Sequence, residues 1–266
     1  MGAVERGIEY GKAGGEALLG DLYRAEGTGA APLLIAVHGG GWRLGSRDMY
    51  QHWGPYLSKN GISVFSIDYR LVSGKKNLHP AAADDVRNAI RFMRTHAAKF
   101  GIDPARIALV GDSAGAHLAA LVALTGANDP EVAVKAVIGV YGVYDMIAQW
   151  EHDLSSRPRD SIAEALLGVS AIDDRQIYHE ASPLTYATSK ANKVAFLISW
   201  GDSDDVVDWQ SQSGRFLNAL KSAGCFARPV PVAGAPHFWM EDPIDEHGSF
   251  SAVLAPRALR FLKAKL

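Results

Sequence analysis

Apolar residues fall into two kinds of run along the chain. Short, mostly apolar stretches at 33–37, 63–67, 107–110, 136–140 and 195–200 lack the strict alternation of a half-wetted sheet. They suit strands covered on both faces. Two further short runs, 8–10 and 17–23, flank the turn Lys12-Ala13-Gly14-Gly15 and predict an N-terminal hairpin. The last strand, 226–232, contains Pro229 and Pro231, which cannot donate to a ladder and confine it to an edge.

Longer stretches repeat apolar residues at helical spacing. Val86, Ala89, Ile90, Met93 and Ala97 predict a helix from Pro80 to about Lys99, and Leu118, Leu121 and Val122 mark one after Ala114. Trp209, Ser213, Phe216, Leu217 and Leu220 share a face that stops at Gly224. Val253, Leu254, Ala258, Phe261 and Leu262 form a final helix from Phe250, which Pro256 should either delay or kink. The segment 144–190 is less regular, with a charged stretch at 153–160 and one short amphipathic helix at 162–167. Strands alternating with helices predict an α/β fold: a mostly parallel eight-stranded sheet with helices on both faces. No linker-like break interrupts the pattern, so 1–266 is expected to be a single domain, with 144–190 a small lid insertion.

Composition narrows the function classes. The 266 residues are 48% hydrophobic and 21% charged with a formal charge of -2, which predicts neither nucleic-acid nor anionic-membrane binding. The single cysteine, Cys225, permits no internal disulfide and reads as a buried apolar residue. The start, MGAVERGIEY, lacks a signal-peptide core, and no run approaches the ~20 apolar residues of a membrane span. A soluble, cytoplasmic protein is the expectation.

Chemistry concentrates after the predicted strands, where ligands sit in sheets of this kind. Gly111-Asp112-Ser113-Ala114-Gly115 stands between the 107–110 strand and the following helix, and is the G-x-S-x-G nucleophile elbow. The flanking glycines let the chain reverse within a few residues, because a Cβ at either place would collide with a neighbouring strand or helix. Ser113 is thereby set at the apex, beside the free N–H groups of a helix N-terminus. Gly39, Gly40 and Gly41 follow the 33–37 strand, where bare backbone can aim N–H groups at a substrate oxygen. Beyond the 195–200 strand lie Asp202, Asp204, Asp205 and Asp208, any of which could orient a base. A calcium loop does not fit this run, since Val207 and Ser213 occupy positions that need glycine and glutamate. After the last strand comes His237, in Ala235-Pro236-His237-Phe238-Trp239; His247, beside Asp245 and Glu246, reads as solvated surface. No HExxH or paired-histidine spacing points to a metal, and no cofactor is required.

Taken together, these motifs resemble the α/β-hydrolase fold, closest to esterases of the hormone-sensitive-lipase type and their short bacterial feruloyl-esterase-like relatives. HGGGW at 38–42, DYR at 68–70, GDSAG at 111–115, the GxxD loop at 201–204 and His237 occur in the family's order. By that resemblance Ser113 is the nucleophile, Asp204 the triad acid and His237 the base. Gly40, Gly41 and Ala114 would supply the oxyanion N–H groups, and Asp68 and Arg70 would brace the site. Two features depart from the pattern. The strand-like stretch before His38 leaves no room for the helical cap of lipase-type members, and Ala116-His117 follows the elbow where many relatives have a further glycine.

The implied activity is hydrolysis of small, fairly apolar carboxylic esters through an acyl-enzyme. Trp42, Tyr141, Tyr144, Trp150, Phe238 and Trp239 lie close enough in sequence to the site loops to line a substrate pocket. HGGxW is also the motif of kynurenine formamidases, which keeps an arylformamide substrate as an alternative. A non-catalytic binding module on a hydrolase scaffold is the third alternative. Edge strands and the last helix leave a homodimer open.

Overall fold

Continuous apolarity becomes a buried sheet in the computed structural model, which describes residues 4–266. Among these residues eight strands form one sheet: β1 (Val4–Ala13), β2 (Glu16–Tyr23), β3 (Ala31–Val37), β4 (Ser63–Ile67), β5 (Ile102–Asp112), β6 (Ala136–Val140), β7 (Ala195–Gly201) and β8 (Ala227–Val232). Their lateral order is β1-β2-β4-β3-β5-β6-β7-β8. β2 is antiparallel to both β1 and β4, and every pairing from β4 to β8 is parallel. β8 is an edge strand, as its prolines required.

Parallel neighbours need crossovers, and helices supply them on both faces. The helices are α1 (Trp53–Lys59), α2 (Ala81–Thr95), α3 (Ala97–Phe100), α4 (Ala114–Thr125), α5 (Met146–Ser156), α6 (Ile162–Leu167), α7 (Arg175–Ala181) and α8 (Arg215–Ser222), with α9 (Phe250–Lys265) following the last strand. Successive side chains of a strand point to opposite faces, so β3 feeds two cores. Leu33, Ile35 and Val37 join the core that takes in α2, α4 and α8, whereas Leu34 and Ala36 join the one covered by α1 and α9. The two serines of β4 are buried with partners: Ser63 accepts the Ala25 N–H at 3.0 Å and Ser66 donates to the Arg47 carbonyl at 2.7 Å.

Several expected elements change shape. The helix expected over 80–99 is broken at His96 and stops at Gly101, which takes the left-handed φ of +67°. α4 is buried on every side rather than on one face, because the sheet, α2 and the 3-10 turn Pro183–Tyr186 all pack on it. α9 neither starts late nor excludes Pro256, which lies inside it on an exposed position. α1 was not expected, and Gly54 and Pro55 hide it from propensity.

The 144–190 insertion is more helical than expected: α6 falls on the predicted 162–167, whereas α5 and α7 were not anticipated. Its helices are set by caps and by a buried carboxylate rather than by apolar period. Asp145 caps α5 through the N–H groups of Ile147 and Ala148, and Asp174 caps α7 through those of Gln176 and Ile177. Asp153, fully buried, accepts from Gln149 at 2.9 Å, Ser161 at 3.1 Å and the Ala163 N–H at 3.2 Å, so it ties α5 to α6. The expected face at Trp209 begins as a π turn, Gln210–Gly214, which buries Gln212. That side chain accepts from the N–H groups of Tyr144 and Asp145 and pins the start of the insertion.

Candidate active site

β5 ends at Asp112 and α4 starts at Ala114, leaving Ser113 alone at the bend with φ +49° and ψ −117°. That is strained backbone for a residue with a side chain. It is held from both sides, by the Ser113 N–H donating to Val140 at 2.9 Å and by its carbonyl accepting from His117 at 3.1 Å. A Cβ on Gly115 would stand 1.9 Å from the Val37 carbonyl oxygen, and one on Gly111 would stand 2.2 Å from that of Gly115. Both glycines are therefore steric requirements of the bend.

Two loops from the far side of the sheet converge on that hydroxyl. Asp204 follows β7 and His237 follows β8. The His237 Nε2 lies 2.9 Å from the Ser113 Oγ, and its Nδ1 lies 2.7 Å from the Asp204 Oδ2. The side chains of His237 and Asp204 are each 1% exposed. The other oxygen of Asp204 accepts the N–H groups of Val206 and Val207, both at 2.9 Å, which fixes the plane of the carboxylate. Of the remaining acids of the run, Asp202 accepts the Gly234 N–H at 2.6 Å, Asp208 accepts from Ser211, and Asp205 is exposed. His247 is exposed.

The glycine loop after β3 presents bare backbone next to the elbow, where Gly39 meets Asp112. Gly40 and Gly41 take left-handed φ values of +103° and +59°. Among the described residues their N–H groups make no other hydrogen bond, and Ala114 lies in the first turn of α4, where N–H groups have no helical partner. The Gly39 N–H instead donates to Asp112 at 3.1 Å. Asp112 is buried, also accepts from Tyr50 at 3.0 Å, and is pushed by that burial to a pKa of about 7. Burial likewise lowers the pKa of His38, whose ring stacks on Tyr69 with 4.2 Å between centres. Arg70 reaches the buried Asp85 of α2 at 2.8 Å, and Asp68 pairs with Arg47.

The aromatic residues expected in a pocket are mostly core. Tyr144 stacks on Phe216 with 4.2 Å between ring centres, Trp150 donates to Glu164 at 2.8 Å, and Trp42 donates to His117 at 3.1 Å. Trp239 meets Tyr141 edge-on at 5.1 Å, and Tyr141 in turn lies 4.6 Å from the His237 ring and accepts the Met240 N–H. These five are buried because a large ring gains more from full burial than from lining a wet cleft. Phe238 differs: it is 60% exposed at φ +61° with its ring edge-on to that of His237.

The insertion borders the glycine loop. A Cβ on Gly41 would stand 3.8 Å from Ile162 at the start of α6, and Arg43 makes a two-pronged ion pair with Asp160 at 2.6 and 3.1 Å. Sequence reasoning passed over Asp112 and Ile162 as site neighbours, and noted His117 only as a departure after the elbow. The signal available was a polar residue inside an otherwise apolar elbow and helix. Among the described residues no cluster of three or more His, Cys, Asp or Glu side chains could hold a metal ion, and no helix is long and apolar enough to cross a membrane.

The strand order, the elbow and the loops gathered beyond the carboxyl ends of the strands define an α/β-hydrolase. The BD-FAE family model matches residues 21–220, and the chain belongs to that family. Esterase LipQ of Mycobacterium tuberculosis is 34% identical over 246 residues, covering 86% of this chain and 55% of its own. A probable isoprenylcysteine alpha-carbonyl methylesterase of Oryza sativa is 29% identical, with 91% and 59% covered. The chain thus spans about half the length of the curated relatives it matches. In fold it is similar to a truncated carbohydrate esterase from gut microbiota, with a TM-score of 0.81, 23% identity and 99% and 96% of the two chains covered. Esterase 2 of Thermogutta terrifontis, solved with propionate bound, gives 0.79 at 24% identity, with 98% and 94% covered.

Proposed function

We propose that this chain is a serine carboxylic ester hydrolase for small, fairly apolar esters, with Ser113 as nucleophile, His237 as general base and Asp204 as the residue that orients it. The observation that carries this is the unbroken contact from Asp204 through His237 to Ser113, at 2.7 and 2.9 Å. As the Ser113 Oγ attacks the ester carbonyl carbon, its proton passes to the His237 Nε2 while the Nδ1 proton stays shared with Asp204. The carbonyl oxygen gains negative charge and is received by the N–H groups of Gly40, Gly41 and Ala114, each worth ~3 kcal/mol to the transition state. Collapse breaks the carbon–alkoxy bond, and the leaving alcohol takes the proton from His237. Water then attacks the acyl-serine with His237 again as base, releasing the acid and restoring the hydroxyl.

The names of the relatives support an ester substrate, and the site's surroundings support a small one. Ile162 stands over one side of the glycine loop and Phe238 presents an exposed ring beside the base. The HGGGW motif at 38–42 supports including an arylformamide among the substrates tried. Hydrolysis of p-nitrophenyl acetate by the wild type, its loss in Ser113→Ala, and fluorophosphonate labelling confined to Ser113 are the expected results. A labelled, active Ser113→Ala variant would overturn the scheme. An unlabelled, inactive wild type would leave a binding module on a hydrolase scaffold. Faster turnover of N-formylkynurenine than of aryl esters would move the substrate to the formamide.

A further inference from the structure

Three consecutive glycines precede Trp42, and the backbone holds them in part: the Gly40 carbonyl accepts the Arg43 and Leu44 N–H groups at 3.1 and 3.0 Å, and the Gly39 N–H donates to Asp112 at 3.1 Å. The tryptophan adds a side-chain anchor at the end of the loop. Trp42 is fully buried at a left-handed φ of +60° and donates its indole N–H to the Nδ1 of His117 at 3.1 Å. The two rings meet edge to face with 5.1 Å between centres. On its other side, the His117 Nε2 lies 2.7 Å from the carbonyl oxygen of Ala181, the last residue of α7 in the insertion. An indole can only donate and a carbonyl can only accept, so the imidazole is committed to the neutral form with its proton on Nε2. Complete burial favours the same form, lowering the pKa to about 3. His117 also sits one turn beyond Ser113, to whose carbonyl its backbone N–H donates. One side chain on the elbow helix therefore joins the glycine loop to the insertion.

We infer that His117 is a positioning residue: by bridging the Trp42 indole to the Ala181 carbonyl it sets the direction of the Gly40 and Gly41 N–H groups and makes it depend on how α7 is seated. This rests on the assignment of those two glycines as oxyanion donors. The oxyanion exists only during bond making and breaking, so loosening its donors lowers kcat while leaving KM nearly unchanged. A bridge that merely stabilised the core would lower stability and leave the kcat of the folded enzyme alone.

The test compares wild type, His117→Leu, His117→Gln, Trp42→Phe and the Leu/Phe double variant on p-nitrophenyl acetate, with reactive sites counted by fluorophosphonate. We expect His117→Leu to lower kcat about tenfold or more, part of the loss known for removing an oxyanion donor, with KM within about twofold. Glutamine can both accept and donate, and should restore kcat to within about threefold of wild type. Trp42→Phe should match His117→Leu, and the double variant should be no worse than either, because both break one bridge. Undiminished kcat in His117→Leu, no rescue by glutamine, or losses that multiply in the double variant would each overturn the inference. Nitrogen-15 NMR of His117 judges the bridge without turnover. A proton on Nε2 and none on Nδ1, unchanged between about pH 5 and 8, is expected, and a proton on Nδ1 would refute it. A wild type that neither labels nor hydrolyses the ester counts against the proposed function alone, since the NMR result stands apart from it.

Discussion

Asp112 and Gly39, 73 residues apart, share a hydrogen bond of 3.1 Å that ties the elbow to the glycine loop facing it. The carboxyl is fully buried and its pKa lies at about 7, with desolvation as the chief cause. In the unfolded chain it ionises near the ordinary value, so between about pH 4 and pH 7 the native state holds a proton the unfolded state has lost. The wild type therefore loses stability from this group as pH rises through that window. Asp112→Asn removes the effect. Urea unfolding at several pH values should show the variant gaining on wild type between pH 4 and 7, with the difference level above. A constant difference would contradict the buried, protonated carboxyl.

His117 works with the opposite sign. Burial lowers its pKa to about 3, so between about pH 3 and its ordinary value of about 6.5 the unfolded chain binds a proton that the native state refuses. Its contribution to stability is full above pH 6.5 and declines as pH falls. His117→Gln should flatten that acid limb, as read by the denaturant midpoint between pH 4 and 7. A variant as acid-sensitive as wild type would show that this imidazole is protonated in the native state.

The elbow gives a steric prediction. Gly115→Ala places a Cβ 1.9 Å from the Val37 carbonyl, a backbone atom of the central strand that cannot step aside. The variant should yield little folded protein, and what folds should lack fluorophosphonate labelling. Normal circular dichroism together with normal labelling would mean that the bend is looser than its geometry.

Asp204→Asn keeps the size of the side chain but lets the amide favour the wrong imidazole tautomer, a change that costs about 10⁴-fold in turnover in a comparable triad. The expected result is a kcat about three to four orders of magnitude lower with thermal stability close to wild type. A loss below about tenfold would hand the orienting role to another acid.

Asp153 predicts how the insertion is held. Asp153→Ala strands the Gln149 amide, the Ser161 hydroxyl and the Ala163 N–H inside the fold. A destabilisation of about 2–4 kcal/mol in urea follows. A neutral effect would mean that water already satisfies these groups.

The strands were legible because their signal is local. A run such as Leu33-Leu34-Ile35-Ala36-Val37 can only be covered on both sides, and all five residues are buried in the structure. Within the insertion only α6 was legible, since α5 and α7 take their limits from the Asp145 and Asp174 caps and from the buried Asp153 instead of from a sustained apolar period. The pocket aromatics misled for a related reason: nearness in sequence to a site loop does not say which way a ring turns, and five of the six turned inward.

What the amino-acid order determined alone is whatever a few adjacent residues impose: the doubly covered strands, the bend that glycine permits around Ser113, the bare backbone at Gly39, Gly40 and Gly41. What only the folded chain decided are meetings across space. His237 reaches Ser113 over 124 residues and Asp204 over 33, and Trp42 finds His117 over 75. Local sterics act through bonds and can be read along the chain. Which of four carboxylates meets the imidazole, and which buried ring meets the indole, depends on how the sheet stacks and twists, and that exists only once the whole core has closed.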